Sequence, residues 1–149
     1  EGQRGRVRMV FHNFPLFRQR ASALAAVAGL AAHRQGRFWE MHDALFENQR
    51  SLDQERILAL VQEVGLDLER FQEDVLDPAL EAQVRGERTL GEGLGVRGTP
   101  AVFINGRAYD EPISRLEWAI EEELARVEMN RAAASPSKTV REQAEQDEP

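Results

Sequence analysis

Cysteine is absent from all 149 residues. That absence excludes a structural disulfide, a thiolate metal site and a cysteine nucleophile within the chain, and it leaves the redox compartment open. Long apolar runs are also missing. The most apolar window, residues 21–32, is alanine-rich, falls short of the roughly 18 residues a membrane span needs and is closed by His33 and Arg34. Positive charge is sparse and scattered: 19 Lys and Arg stand against 26 Asp and Glu, for a net charge of −7. Such a balance argues against a nucleic-acid partner and for solubility. His12, His33 and His42 are too few and too badly spaced for a zinc site, and no cofactor or metal is expected. The chain opens on Glu1 without a signal-peptide pattern, so any targeting information is expected upstream.

What is present alternates between two periodicities. Residues 7–11 alternate Val7, Met9 and Phe11 with Arg8 and Val10 and predict a short strand, ended by Pro15. Helix formers take over from Gln19. An alanine-rich helix is expected over residues 21–34 with Gly36 as its breaker, then one over 38–49 with Phe38, Met41, Leu45 and Phe46 on one face. Ser51 and Gln54 suggest a capping box for a helix that buries Ile57, Leu58, Val61 and Val64 and ends at Gly65. Asp67 caps a short helix carrying Phe71 and Val75. Asp77 followed by Pro78 opens another, with Leu80, Val84, Gly91 and Leu94 inward and Gly95 at its end.

The pattern then returns to strands. Ala101, Val102, Phe103 and Ile104 precede Asn105-Gly106, a pair suited to a two-residue hairpin turn, and the return strand runs from Arg107 to about Asp110. Ser114 and Glu117 suggest a second capping box for a helix with Leu116, Ile120, Leu124 and Val127 in one stripe and Trp118 beside it. Residues 129–149 are poor in core-forming side chains and are expected to be a disordered tail. The order strand, helices, hairpin, helix predicts one α/β domain over residues 1–128 with a helical insertion at about 19–95.

Other candidate sites have ordinary explanations. His42 and Asp43 are neighbours on one predicted helix, so their side chains are expected to diverge. Ser22, Ser51 and Ser114 read as helix-surface or cap residues. Phe38 and Trp39 are expected to pack in the core rather than serve as a stacking platform. Gly91, Gly93, Gly95 and Gly98 form a glycine-dense stretch, but it ends a helix and opens a strand, the reverse of a phosphate-binding loop.

Three segments in this order resemble the DsbA-like branch of the thioredoxin superfamily. They are the run Val10-Phe11-His12-Asn13-Phe14-Pro15-Leu16, the run from Gln35 to Phe46, and Gly95-Val96-Arg97-Gly98-Thr99-Pro100 with the strand and turn that follow. The resemblance spans about residues 5–127. It implies an α/β, incomplete thioredoxin-like fold, with the helical insertion between the first visible strand and the C-terminal hairpin. In that family an earlier, central strand leads into a helix that begins with Cys-X-X-Cys, and this unit would precede residue 5.

The chemistry explains why the missing unit matters. Thiol–disulfide exchange needs a thiolate to attack a sulfur, and a helix N-terminus stabilises that thiolate. Serine and threonine cannot substitute, so the resemblance implies no catalytic residue here. What it retains is the peptide-facing cis-proline loop, carried over to Gly98, Thr99 and Pro100, with cysteine-containing proteins or peptides as substrates of the parent protein. An extracytoplasmic location (periplasmic or secreted) also follows only from the resemblance. A redox-dead interaction domain, or complementation by another polypeptide, stays open. Loss of a central strand would leave the strands at 7–11 and 101–104 with unpaired edges. The isolated chain is therefore expected to be poorly stable or to self-associate. Sedimentation showing a monomer, together with a sharp cooperative melt, would overturn that expectation.

Overall fold

The computed structural model describes residues 5–16 and 20–134. These fall into two compact units, a helical unit, Val10–Thr99, and a hairpin unit formed by the described residues up to Met9 and from Pro100 onward.

The helical unit holds α1 (Arg20–Arg34), α2 (Phe38–Glu47), α3 (Gln54–Val64), α4 (Leu68–Val75) and α5 (Pro78–Gly93). α1 packs against all of α2, α3, α4 and α5. Its composition permits this, because Ala28, Ala31 and Ala32 are buried and carry only a methyl group, so neighbouring helices can approach closely. Around that face lie Met41 and Leu45 of α2, Ile57, Leu60 and Val61 of α3, Phe71 of α4, and Leu80 and Val84 of α5. Every buried apolar residue among those described belongs to this unit.

Local chemistry sets the helix ends. The carboxylates of Asp53, Asp67 and Asp77 accept from the backbone N–H of Arg56, Arg70 and Ala79 at 2.8, 2.9 and 2.9 Å. Asp53, not Ser51, is thus the cap of α3: it directly precedes the first helical residue, and its charge suits the positive end of the helix. Gln35 fixes the start of α4 by accepting from Asp67 N–H at 2.9 Å while its Nε2 donates to the Asp67 carbonyl at 3.1 Å. α5 closes through Gly95, whose φ of +83° turns the chain so that Val96 N–H reaches back to the Gly91 carbonyl at 2.9 Å. Leu94, expected inward, is exposed because the helix has ended before it reaches the core.

The hairpin unit contains β1 (Val102–Ile104) and β2 (Arg107–Tyr109), antiparallel, with Val102 opposite Tyr109 and Ile104 opposite Arg107. Asn105 and Gly106 make the turn at φ of +48° and +79°, the positive pair a tight hairpin needs. A 3-10 turn (Ile113–Arg115) leads into α6 (Leu116–Ala134). Ser114 does not cap α6, since Arg115 N–H already bonds the Pro112 carbonyl at 2.8 Å and Ser114 lies inside that turn. The stripe of Leu116, Ile120, Leu124 and Val127 is only half-buried, and Trp118 is exposed.

Two further expectations are corrected. Residues 7–11 form no strand, and among the described residues the sheet has only two strands. A strand exists only with a neighbour to share its hydrogen bonds, and without one Val7, Met9, Val10 and Phe11 stay exposed. Nor does the helix stop at Glu128: residues 129–134 continue α6, because Met129, Arg131 and three alanines favour helix without any core to face. The remainder of the expected tail, 135–149, lies outside the described residues.

Core and surface positions should respond oppositely to substitution. Phe71→Ala is expected to cost about 3–5 kcal/mol. Gly86→Ala, on α5 where an added methyl group meets nothing within 4 Å, should stabilise by up to about 1 kcal/mol. Urea melts of the two variants check both signs.

Candidate functional site

The residues expected to face a peptide lie where α5 gives way to the hairpin unit. Gly98 and Thr99 end the helical unit and Pro100 begins the next, all three exposed in a bend. A methyl group on Gly98 would meet nothing within 4 Å. The segment therefore offers open backbone, and no reactive side chain stands among Gly98, Thr99 and Pro100.

Upstream in the helical unit, residues 13–15 are clamped onto α5. Asn13 is buried, and its backbone N–H and its Nδ2 both donate to Glu87 Oε2, at 2.6 and 2.8 Å. Gln83 Nε2 donates to the other Glu87 oxygen at 2.8 Å. Arg88 donates to the Pro15 carbonyl and holds its guanidinium carbon 5.3 Å from the centroid of the Phe14 ring. Sequence periodicity indicates an inward position at Gly91, but what it faces there, the Phe14 ring, is far away in the chain and was not legible.

A second feature is a surface group of rings. His42 has ring centroids 4.9 Å from Phe11, 5.3 Å from Trp39 and 4.7 Å from Phe46, with Phe38 at 5.9 Å. Phe38 is half-buried, but Trp39 is 41% exposed and Phe46 53% exposed, so the core expected for Trp39 does not enclose it. The spacing 38, 42, 46 on α2 was the available signal. His42 Nδ1 also lies 2.8 Å from Asp43 Oδ1, so these neighbours meet rather than diverge. Among the described residues no group of acidic, histidine or cysteine side chains is placed to hold a metal.

In the hairpin unit the marked electrostatic feature is Glu123 on α6. Its side chain is 9% exposed and accepts from Arg126 at 2.6 and 2.7 Å, from Asn105 Nδ2 at 2.9 Å and from Arg107. These donors, Arg126 first and then Asn105, hold its carboxyl down from 4.5 to about 2, against the opposing effect of burial. The acid thereby ties the hairpin turn to α6. Its partners Asn105 and Arg107 lie 18 and 16 positions away in the chain and become its neighbours only through the fold.

The profile of the DSBA-like thioredoxin domain matches residues 2–121. The chain belongs to that family. It is a DsbA-like domain that holds no cysteine. The probable disulfide bond formation protein D of Bacillus anthracis is 31% identical over 130 residues, covering 81% of this chain and 59% of that protein. A Na(+)/H(+) antiporter, NhaA 3 of Salinispora tropica, is 36% identical over 107 residues, covering 71% of this chain and 16% of that protein. The chain thus spans only part of the length of either relative. Among solved structures, the thiol-disulfide exchange protein alpha-DsbA2 from Wolbachia pipientis superposes with a TM-score of 0.68 at 26% identity, over 76% of this chain and 63% of that one. A thioredoxin-like oxidoreductase from Silicibacter pomeroyi gives 0.64 at 28% identity, over 76% and 66%. The mostly helical structure with its two-stranded sheet is accordingly an incomplete thioredoxin-like fold.

Because the Glu123 carboxyl is depressed in the folded state, its contribution is complete above 4.5 and is lost as pH falls through about 2. Amide resonances of the hairpin turn should therefore loosen over that window in the native chain. In Glu123→Gln the turn should be loose already at neutral pH and insensitive to acid. A native-like pH response in that variant would contradict the tie.

Proposed function

We propose that this chain is the C-terminal portion of a protein thiol–disulfide oxidoreductase of the DsbA-like family, redox-inactive by itself. One observation carries the reading: a chain that matches the family over residues 2–121 contains no cysteine. The attacking and resolving thiols then belong to a helix N-terminus on a segment outside this sequence, where the helix dipole favours thiolate. This chain contributes the other wall of the site. Gly98, Thr99 and a cis Pro100 present backbone groups to an extended, cysteine-containing substrate, and a side-chain-free approach at Gly98 suits that task. The names of the Bacillus and Wolbachia relatives support the substrate class, and family membership supports an extracytoplasmic setting. Among the described residues no helix is long and apolar enough to cross a membrane.

A second reading, a redox-dead domain that binds a partner protein or peptide, is favoured by the packing of the helical unit, which closes its core from its own residues. The antiporter relative, of which this chain covers 16%, also favours a domain carried on a longer polypeptide. One experiment separates the readings. The chain alone is expected to stay at the no-protein blank in an insulin-reduction assay. Joined to the polypeptide encoded directly upstream of Glu1, it should gain turnover if that segment supplies a strand, Cys-X-X-Cys and a helix. Turnover by the chain alone would overturn the cysteine argument, and an upstream segment without cysteine would select the second reading.

A further inference from the structure

Gly91 lies in the glycine-dense stretch that the proposed function leaves unexplained, and its surroundings differ from those of its neighbours. A methyl group on Gly86, Gly93, Gly95 or Gly98 would meet nothing within 4 Å. On Gly91 it would stand 2.8 and 3.0 Å from two ring carbons of Phe14 and 3.8 Å from Cβ of Val96. The Phe14 ring is therefore seated directly on the α5 backbone, beside the residue that starts the exit from the helix.

Neither contact partner is free to move away. The residue before Phe14 is held by two bonds to Glu87, the residue after it by Arg88 through the Pro15 carbonyl, and the Arg88 guanidinium lies against the ring. On the other side, Val96 is fixed by its N–H bond to the Gly91 carbonyl at 2.9 Å and by the left-handed turn at Gly95. Gly91 thus touches both segments at once: its missing side chain makes room for Phe14, and its carbonyl holds Val96.

We propose that the seat of Phe14 on Gly91 sets the path of residues 96–99, making Gly91 and Phe14 positioning residues for the peptide-facing loop. The proposal rests on the reading of Gly98, Thr99 and Pro100 as that loop. Its physical content is preorganisation: a loop already held in its binding geometry loses less freedom when a peptide docks. Phe14 acts through Val96 and need not touch the peptide.

The test uses the full chain and two readouts, amide hydrogen exchange over residues 96–99 and binding of an extended peptide containing S-methylcysteine. Gly91→Ala should raise exchange at Val96 and the residues after it, with α1 and α3 unchanged, and weaken the peptide by about fivefold through lost preorganisation. Phe14→Leu alone, which empties the seat without crowding it, should do the same if Gly91→Ala proves too disruptive to fold. Gly91→Ala combined with Phe14→Leu should recover both readouts, since the smaller side chain makes room for the methyl group. Gly93→Ala should leave both unchanged. Native exchange at residues 96–99 in both Gly91→Ala and Phe14→Leu would overturn the seat. Altered and rescued exchange with unchanged peptide affinity would overturn the positioning role. If the native chain does not bind the peptide at all, the peptide-facing reading fails, and the positioning role with it, while the exchange data still decide the seat.

Discussion

The close approach of helices to the alanine face of α1 is the constraint on which the rest of the helical unit depends. Ala28, Ala31 and Ala32 contribute little apolar area themselves, but they let α2, α3, α4 and α5 pack on one helix and share one core. A larger side chain at these positions would force the neighbours apart and open the contacts of Met41, Leu60, Val61 and Phe71 with one another. The fixed path of α5 follows from this packing. So does the clamp on residues 13–15, because Gln83, Glu87, Arg88 and Gly91 present their groups from a helix that Leu80 and Val84 anchor.

The hairpin unit works under a different constraint. Among the described residues it contributes no buried apolar side chain, and its organising contact is a buried carboxylate shared by two guanidinium groups and an amide. Such a node fixes geometry without supplying the apolar burial that usually drives folding. Phe103, Ile113 and Trp118 are exposed, as are Val7 and Met9. Among the described residues this unit thus leaves apolar side chains of β1, of the 3-10 turn and of α6 uncovered.

Much of the fold was legible. Periodicity located the five helices of the first unit, aspartates at 67 and 77 marked helix starts, and Asn105-Gly106 marked the hairpin. The failures have different causes. Residues 7–11 carry the alternation of a strand, yet a strand is a property of two neighbours, and among the described residues none pairs with them. Ser51 and Ser114 matched a capping pattern, but the start of each helix was decided by Asp53 and by the turn after Pro112. The end of α6 was misplaced because core-forming residues were counted where alanine's helical preference prevailed.

The sequence by itself determined which chemistry is excluded, because a missing thiol cannot be restored by any arrangement of the residues present. It also determined the helix order, since the spacing of apolar side chains and the helix-ending residues act over a few positions. Only the tertiary structure decided that Phe14 would sit on Gly91, that Glu123 would be buried between Asn105 and two arginines, and that Trp39 would stand among rings at the surface. Each of these involves residues from separate elements, or the exposure that packing leaves them, and neither is set until the backbone brings those elements together.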